Sequence, residues 1–99
     1  MKLQMHAVHF DADPKLIDFI QRKTEKLEAL YERIIDGEVF LKLENIGAVD
    51  NKIVEIKINI PGNQLFAKEQ DESFEAAADK TVEALRRQLK KYKEKQAAR

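Results

Sequence analysis

The residues best placed to do chemistry are cations near the end of the chain. Lys80, Arg87, Lys91 and Lys95 step by seven, four and four, a spacing that puts side chains on one flank of a helix. Arg86, Lys90 and Lys93 fall on the opposite flank. From Lys80 to Arg99 there are eight basic side chains and two acidic ones, Glu83 and Glu94, a local excess of +6. The rest of the chain carries ten basic and sixteen acidic side chains and sits at −6. The formal net charge of zero therefore hides a polarised chain that can offer a basic face to phosphate. Cations on both shoulders of an exposed helix reach phosphate oxygens without any ion being buried, and arginine adds bidentate contacts that lysine cannot make. A solvated face that only keeps the chain soluble accounts for the same residues.

A second, weaker basic group lies earlier: Arg22, Lys23, Lys26 and, further on, Arg33, interleaved with Asp18, Glu25, Glu28 and Glu32. Internal pairing at helical spacing, worth ~0.2–0.5 kcal/mol per pair, explains much of this charge when the segment is read alone. Side-by-side packing of the two basic segments would instead join their shoulders into one surface with a groove, a shape that can straddle an RNA backbone.

Other chemistries find little support. His6 and His9 are three apart on a strand and point to opposite faces, and there is no cysteine, so neither a zinc site nor a disulfide framework is expected. Asp11 and Asp13 flank a helix start, where capping explains them. No nucleophile–base pairing, phosphate-loop glycine pattern or carboxylate cleft is apparent, so no enzyme, cofactor or small-molecule substrate is expected. Phe40 and Phe66 are out of phase with the apolar faces of their strands, and Phe10 is ambiguous. Packing against a neighbouring strand or loop explains them better than base stacking, because no aromatic-rich RNA-recognition pattern accompanies them. With no signal-length or membrane-length apolar run, the expectation is a soluble, cytoplasmic chain.

The elements that must position these residues read in order. Leu3, Met5 and Ala7 alternate with Lys2, Gln4 and His6, a strand over residues 2–10. Asp13-Pro14 starts a helix of five to six turns with Leu16, Ile20, Leu27, Leu30, Tyr31 and Ile34 on its apolar side, ended by Asp36-Gly37. Val39, Leu41 and Leu43 mark a second strand, residues 45–51 a loop, and Val54, Ile56, Ile58 and Ile60 a third strand. Pro61-Gly62-Asn63 is a turn, and Gln64 to Lys68 a short fourth strand. Asp71 or Ser73 caps the closing helix, whose stripe is Phe74, Ala78, Val82, Leu85, Leu89 and Tyr92, and the tail from Gln96 to Arg99 is expected to fray. The order β-α-β-β-β-α, with each strand apolar on one face only, predicts one α+β domain over residues 1–99. Its two layers are a four-stranded antiparallel or mixed sheet and two helices on one face.

At this point the chain resembles the ribosome hibernation promoting factor and ribosome-associated inhibitor family. The resemblance runs nearly end to end. It rests on the element order and the Asp13-Pro14 start, with Arg22-Lys23-x-x-Lys26-Leu27-Glu28 behind it. It rests also on Ile60-Pro61-Gly62-x-x-Leu65-x-Ala67 and the closing Ala84-Leu85-Arg86-Arg87-Gln88-Leu89-Lys90-Lys91-Tyr92-Lys93. It implies a fold akin to the double-stranded-RNA-binding domain with an added first strand. It also implies binding to ribosomal RNA of the small subunit, in the channel for messenger and transfer RNA, and inhibition of translation in stationary phase or stress. The family's basic positions match at Lys23, Lys26, Arg87 and Lys91, with Arg22, Arg86 and Lys90 beside them. Ala84 stands where many members are basic, which leaves Lys80 to serve that shoulder. The chain stops soon after the second helix, so the resemblance is to the short branch, which pairs ribosomes only with a separate factor. Two rival readings remain open: a protein-interaction module using the sheet, and a general double-stranded-RNA binder.

Overall fold

A computed structural model of the chain describes residues 1–44 and 51–97. The elements run β1 (Lys2–Ala7), α1 (Pro14–Leu30), β2 (Asp36–Leu43), β3 (Lys52–Ile60), β4 (Asn63–Asp71) and α2 (Phe74–Ala97). The strands stand in the sheet in chain order. β1 runs parallel to β2, with Met5 opposite Val39, and the β2–β3 and β3–β4 pairs are antiparallel. A parallel pair needs a crossover, and α1 is that crossover. The sheet is therefore mixed, within the range the one-faced strands allowed.

One core joins the layers. Ile20 and Leu27 of α1 and Ala77, Ala78, Val82, Leu85 and Leu89 of α2 are buried together with Val39, Leu41, Val54, Ile56, Ile58, Ile60, Leu65 and Ala67 of the sheet. Both helices thus cover the same face. Two hydroxyls lie inside and both are satisfied, as buried polar groups must be. Thr24 donates to the Ile20 carbonyl at 2.7 Å. Thr81 lies 2.7 Å from the Ala77 carbonyl and 3.2 Å from the Val54 carbonyl of β3.

The capping signals act as read at Asp13, whose carboxylate accepts from the Lys15 N–H at 2.8 Å with proline following. Between the two candidates for α2, the cap is Ser73, whose hydroxyl accepts from the Ala76 N–H at 3.1 Å. Asp71 instead accepts from the Glu72 N–H and belongs to β4.

Several boundaries differ from the sequence reading. β1 stops at Ala7 because His9 turns through φ +65°, which lets Phe10 leave the sheet and stack on Phe74 with ring centres 5.2 Å apart. α1 ends at Leu30, where Tyr31 is extended (φ −145°, ψ 103°). Ile34 still reaches the core, from the connection rather than the helix. β4 runs on to Asp71 because it pairs along all of β3, with Lys52 opposite Asp71. The loop expected over 45–51 lies, apart from Asn51, outside the described residues. So do Ala98 and Arg99 of the tail, while Gln96 and Ala97 continue α2.

Gly37 is the instructive correction. It is no helix stop but a buried position in β2, read wrongly because Asp-Gly is a strong turn signal on its own. A Cβ there would stand 2.9 Å from Ile58 Cδ1, 3.1 Å from Leu3 Cδ1 and 3.1 Å from the Lys57 carbonyl oxygen. Glycine is needed for this close approach between strands. Gly37→Ala is expected to destabilise the fold by about 1–3 kcal/mol through overpacking, measured by urea unfolding. A loss below a few tenths would mean that the two side chains yield freely.

Candidate nucleic-acid interface

The helix layer carries the candidate residues, and three contacts fix how its helices sit. Lys23 Nζ of α1 lies 3.0 Å from Asp79 Oδ1 of α2 and 5.5 Å from the Phe19 ring centre. Lys93 Nζ donates to the Leu30 carbonyl at 2.8 Å, satisfying a carbonyl the end of α1 leaves open. Tyr31 and Tyr92 meet edge to face at 5.8 Å. These contacts turn the α2 flank bearing Asp79 and Lys93, and with it Glu83, Arg86 and Lys90 by helical phase, toward α1.

The other flank borders β4. Lys80 Nζ lies 2.8 Å from Asp71 Oδ2, and Gln88 donates to the Phe66 carbonyl at 2.8 Å. Lys91 and Lys95 share a hollow of about 210 Å³ with Asn63, Leu65, Gln88 and Tyr92. The two shoulders of α2 therefore exist as the spacing required, one toward α1 and one toward the sheet edge.

A groove does cross this layer. Lys23, Lys80 and Arg87 line a hollow of about 500 Å³, and Lys23 also lines an adjoining one of about 250 Å³ with Phe19, Arg22 and Lys26. The larger hollow is not uniformly basic, because Glu69, Asp79 and Glu83 share its walls. These carboxylates were missed as site residues. The signal for two of them was present, since Asp79 and Glu83 are four apart on the flank that carries Arg86.

Four of the eight candidate cations are held by carboxylates. Arg22 pairs with Asp18 at 3.3 Å, Lys23 with Asp79, Lys80 with Asp71, and Arg86 with Glu83 at 3.2 Å. Lys26, Arg87, Lys90 and Lys91 make no ion pair among the described residues. Exposed pairs of this kind contribute ~0.2–1 kcal/mol, so a phosphate can displace the carboxylate at little cost. The Lys80 ammonium bonded to Asp71, assisted by the Glu72 backbone N–H, holds that carboxyl below the usual 3.8. Nothing here resembles a metal centre: among the described residues no group of three metal-ligating side chains converges. No helix of the described chain is long and apolar enough to cross a membrane.

With this geometry in hand, comparison with known proteins is decisive. The sequence pattern of the family described as sigma 54 modulation protein / S30EA ribosomal protein matches residues 3–97. The chain belongs to that family. A ribosome hibernation promoting factor from Pseudomonas putida is 31% identical over 96 residues, covering 97% of this chain and 90% of the relative. One from Klebsiella oxytoca is 28% identical, covering 96% of each. Among solved structures, a ribosomal subunit interface protein from Coxiella burnetii superposes with a TM-score of 0.84 at 22% identity, covering 94% of this chain and 98% of that one. The N-terminal domain of Thermus thermophilus protein Y gives 0.80 at 22%, covering 93% and 99%. These superpositions establish the fold.

Two outcomes follow from the pairing. Asp79→Asn removes a carboxylate that competes with phosphate for Lys23 and is expected to tighten RNA binding by roughly 1.4- to 5-fold, the value of one exposed pair. Filter binding of ribosomal RNA measures it, and weaker binding would show that Asp79 positions Lys23 rather than competing for it. For Asp71 the folded pKa is depressed, so its contact with Lys80 adds stability above the unfolded value, and that stability is lost as pH falls through the lower folded one. The NMR titration of its carboxyl carbon should have its midpoint below 3.8 and move up toward it in Lys80→Met. An unmoved midpoint would assign the shift to the backbone N–H alone.

Proposed function

We propose that this chain is a non-enzymatic ribosome hibernation factor that binds ribosomal RNA of the small subunit. It acts by filling the path of messenger and transfer RNA during stationary phase or stress. The observation that carries this reading is the pair of cationic shoulders on α2, with Arg87, Lys90 and Lys91 outside any described ion pair. Lys23 of α1 shares a hollow with Lys80 and Arg87, in a chain whose curated relatives are named hibernation promoting factors.

The mechanism is occlusion. Arg87, Lys91 and Lys26 contact phosphate first, because no carboxylate must be displaced. Lys23, Lys80, Arg22 and Arg86 follow by exchanging an aspartate or glutamate for a phosphate. The two-layer body, held by one core, then stands where another RNA would pass. No bond is made or broken. The contacts are to backbone rather than base, so the helix layer selects by the spacing of phosphates.

Magnitudes make this testable. Each phosphate contact contributes about −0.7 to the log–log salt slope on unpaired RNA. Four engaged cations give about −3 and all eight about −6. At ~0.1 M salt each contact is worth roughly fivefold in affinity, so Arg87→Glu with Lys91→Glu should weaken binding by at least about 25-fold before repulsion is counted. Both side chains are exposed, so the fold should survive. Sucrose-gradient cosedimentation with small subunits and whole ribosomes, at low and high salt, reads the effect. Salt-sensitive comigration that the double variant loses is the expected result. Undiminished comigration of the variant would remove these residues from the interface. Equal affinity for any long RNA duplex would favour general double-stranded-RNA binding.

A further inference from the structure

The face of the sheet turned away from the helices carries an organised set of side chains that the helix-layer reading leaves unused. The strand register lays Gln4, Glu38, Lys57 and Phe66 in one row across the four strands, and His6, Phe40, Glu55 and Lys68 in the next. His6 and Phe40 are stacked, with ring centres 4.8 Å apart and planes at 19°. The Nζ atoms of Lys57 and Lys42 lie 5.5 and 5.9 Å from the Phe40 ring centre. Phe66 is 44% exposed, directly across from Lys57. It is only partly covered, where the sequence reading expected packing against a neighbouring strand or loop.

The charge on this face is also arranged. Its carboxylates are engaged: Asp36 accepts from Asn59 at 2.5 Å, Glu38 meets His6 at 3.2 Å, and Glu55 pairs with Lys42 at 2.7 Å. Lys2, Lys57 and Lys68 make no ion pair among the described residues. A protein partner would have to desolvate these lysines around a single exposed ring, at a cost unmet without matching acids. An unpaired RNA strand meets both features at once, because every base offers a π-face to an aromatic ring and every phosphate a charge to a lysine. A four-stranded sheet whose aromatics stack two or three bases is an established platform for single-stranded RNA.

We infer that this open sheet face is a second RNA contact, which stacks bases of an unpaired ribosomal RNA segment on Phe66 and on the His6–Phe40 pair. Lys57, Lys68 and Lys2 neutralise its phosphates. Only the ribosomal source of the strand rests on the function proposed above.

The test uses the full chain carrying Arg87→Glu and Lys91→Glu, which weakens the helix-layer contact on the opposite side. Fluorescence anisotropy with labelled oligouridylate, the strand with least self-stacking, and with an RNA duplex of equal length should show preference for the single strand. Phe66→Ala should weaken that binding by roughly 5- to 150-fold, the value of one stacked base. Phe66→Trp should retain it, and Lys57→Glu should flatten its salt dependence. Absence of oligouridylate binding in this background, or indifference to Phe66→Ala, overturns the proposal. In the chain with its helix layer intact, Phe66→Ala should also weaken cosedimentation with messenger-free small subunits. If the oligonucleotide effect appears but subunit binding does not change, the ribosomal source is wrong. If subunit binding weakens without any oligouridylate binding, the face meets protein and the proposal fails.

Discussion

The arrangement depends on how closely α2 lies over β3 and β4. Ala77, Ala78 and Thr81 are fully buried, and their small size lets the helix backbone come near β3. The Thr81 hydroxyl lies within hydrogen-bonding reach of the Val54 carbonyl as well as its own helix. A larger side chain at any of these positions would lift the helix and disturb the rest of the layer. With α2 seated there, Leu85 and Leu89 fill the space over the sheet. The helix phase then leaves its two polar flanks facing α1 on one side and the β4 edge on the other. The position of every cation on α2 follows from that seating, because a helix held by one stripe has no freedom to choose which residues face outward.

Electrostatics then decides how a neutral chain can have a basic surface. The molecule extends 49 Å along its longest axis, while the screening length at physiological salt is ~8 Å. Lys91 lies twelve residues beyond Asp79 on the same helix, about 18 Å away at helical rise. Asp79 therefore weakens Lys23 beside it and does little to Lys91, whose immediate surroundings include only Glu94 among acids of its own helix segment. Net charge is a poor guide at this scale. Phosphate meets the local field, which is mixed at the start of α2 and basic at its end. The acids near the start set a threshold under about 1 kcal/mol per pair. That is small enough to be exchanged for phosphate and large enough to discourage a weakly charged ligand.

The sequence disclosed element type and order, the two-layer plan, the apolar faces and the first cap, all of which depend on local periodicity. It misjudged features set by tertiary contact. The Asp36-Gly37 pair reads as a stop, and only the approach of Ile58 and Leu3 shows why a strand needs glycine there. β4 looked short because Glu69, Gln70 and Asp71 are polar, yet its length follows from the partner strand. In the candidate site, the flanks of α2 were legible from spacing. Which carboxylate meets Lys23 was not, because Lys23 and Asp79 are far apart in the chain and meet only across the helix pair. Phe66 was legible as out of phase, but its exposure depends on the tertiary arrangement of the sheet.

Under the proposed function, the two layers would divide the chemistry of RNA between them. Helix flanks present long, flexible cations that follow a phosphate backbone and tolerate its irregularity. A sheet face presents short, rigid rows in which a ring at a fixed register can meet a base. The helices cover one face of the sheet, so an aromatic exposed on the other is either a cost in exposed apolar area or a contact. The stacking of Phe40 on His6 shelters one ring, while Phe66 is left uncovered beside Lys57. An isolated exposed ring is unremarkable on a surface. A ring in the row next to a sheltered aromatic pair, two strands away from it, among lysines whose acidic neighbours are engaged elsewhere, is a more specific arrangement. On the inference drawn above, it gives the sheet a selectivity of its own beyond supporting the helices.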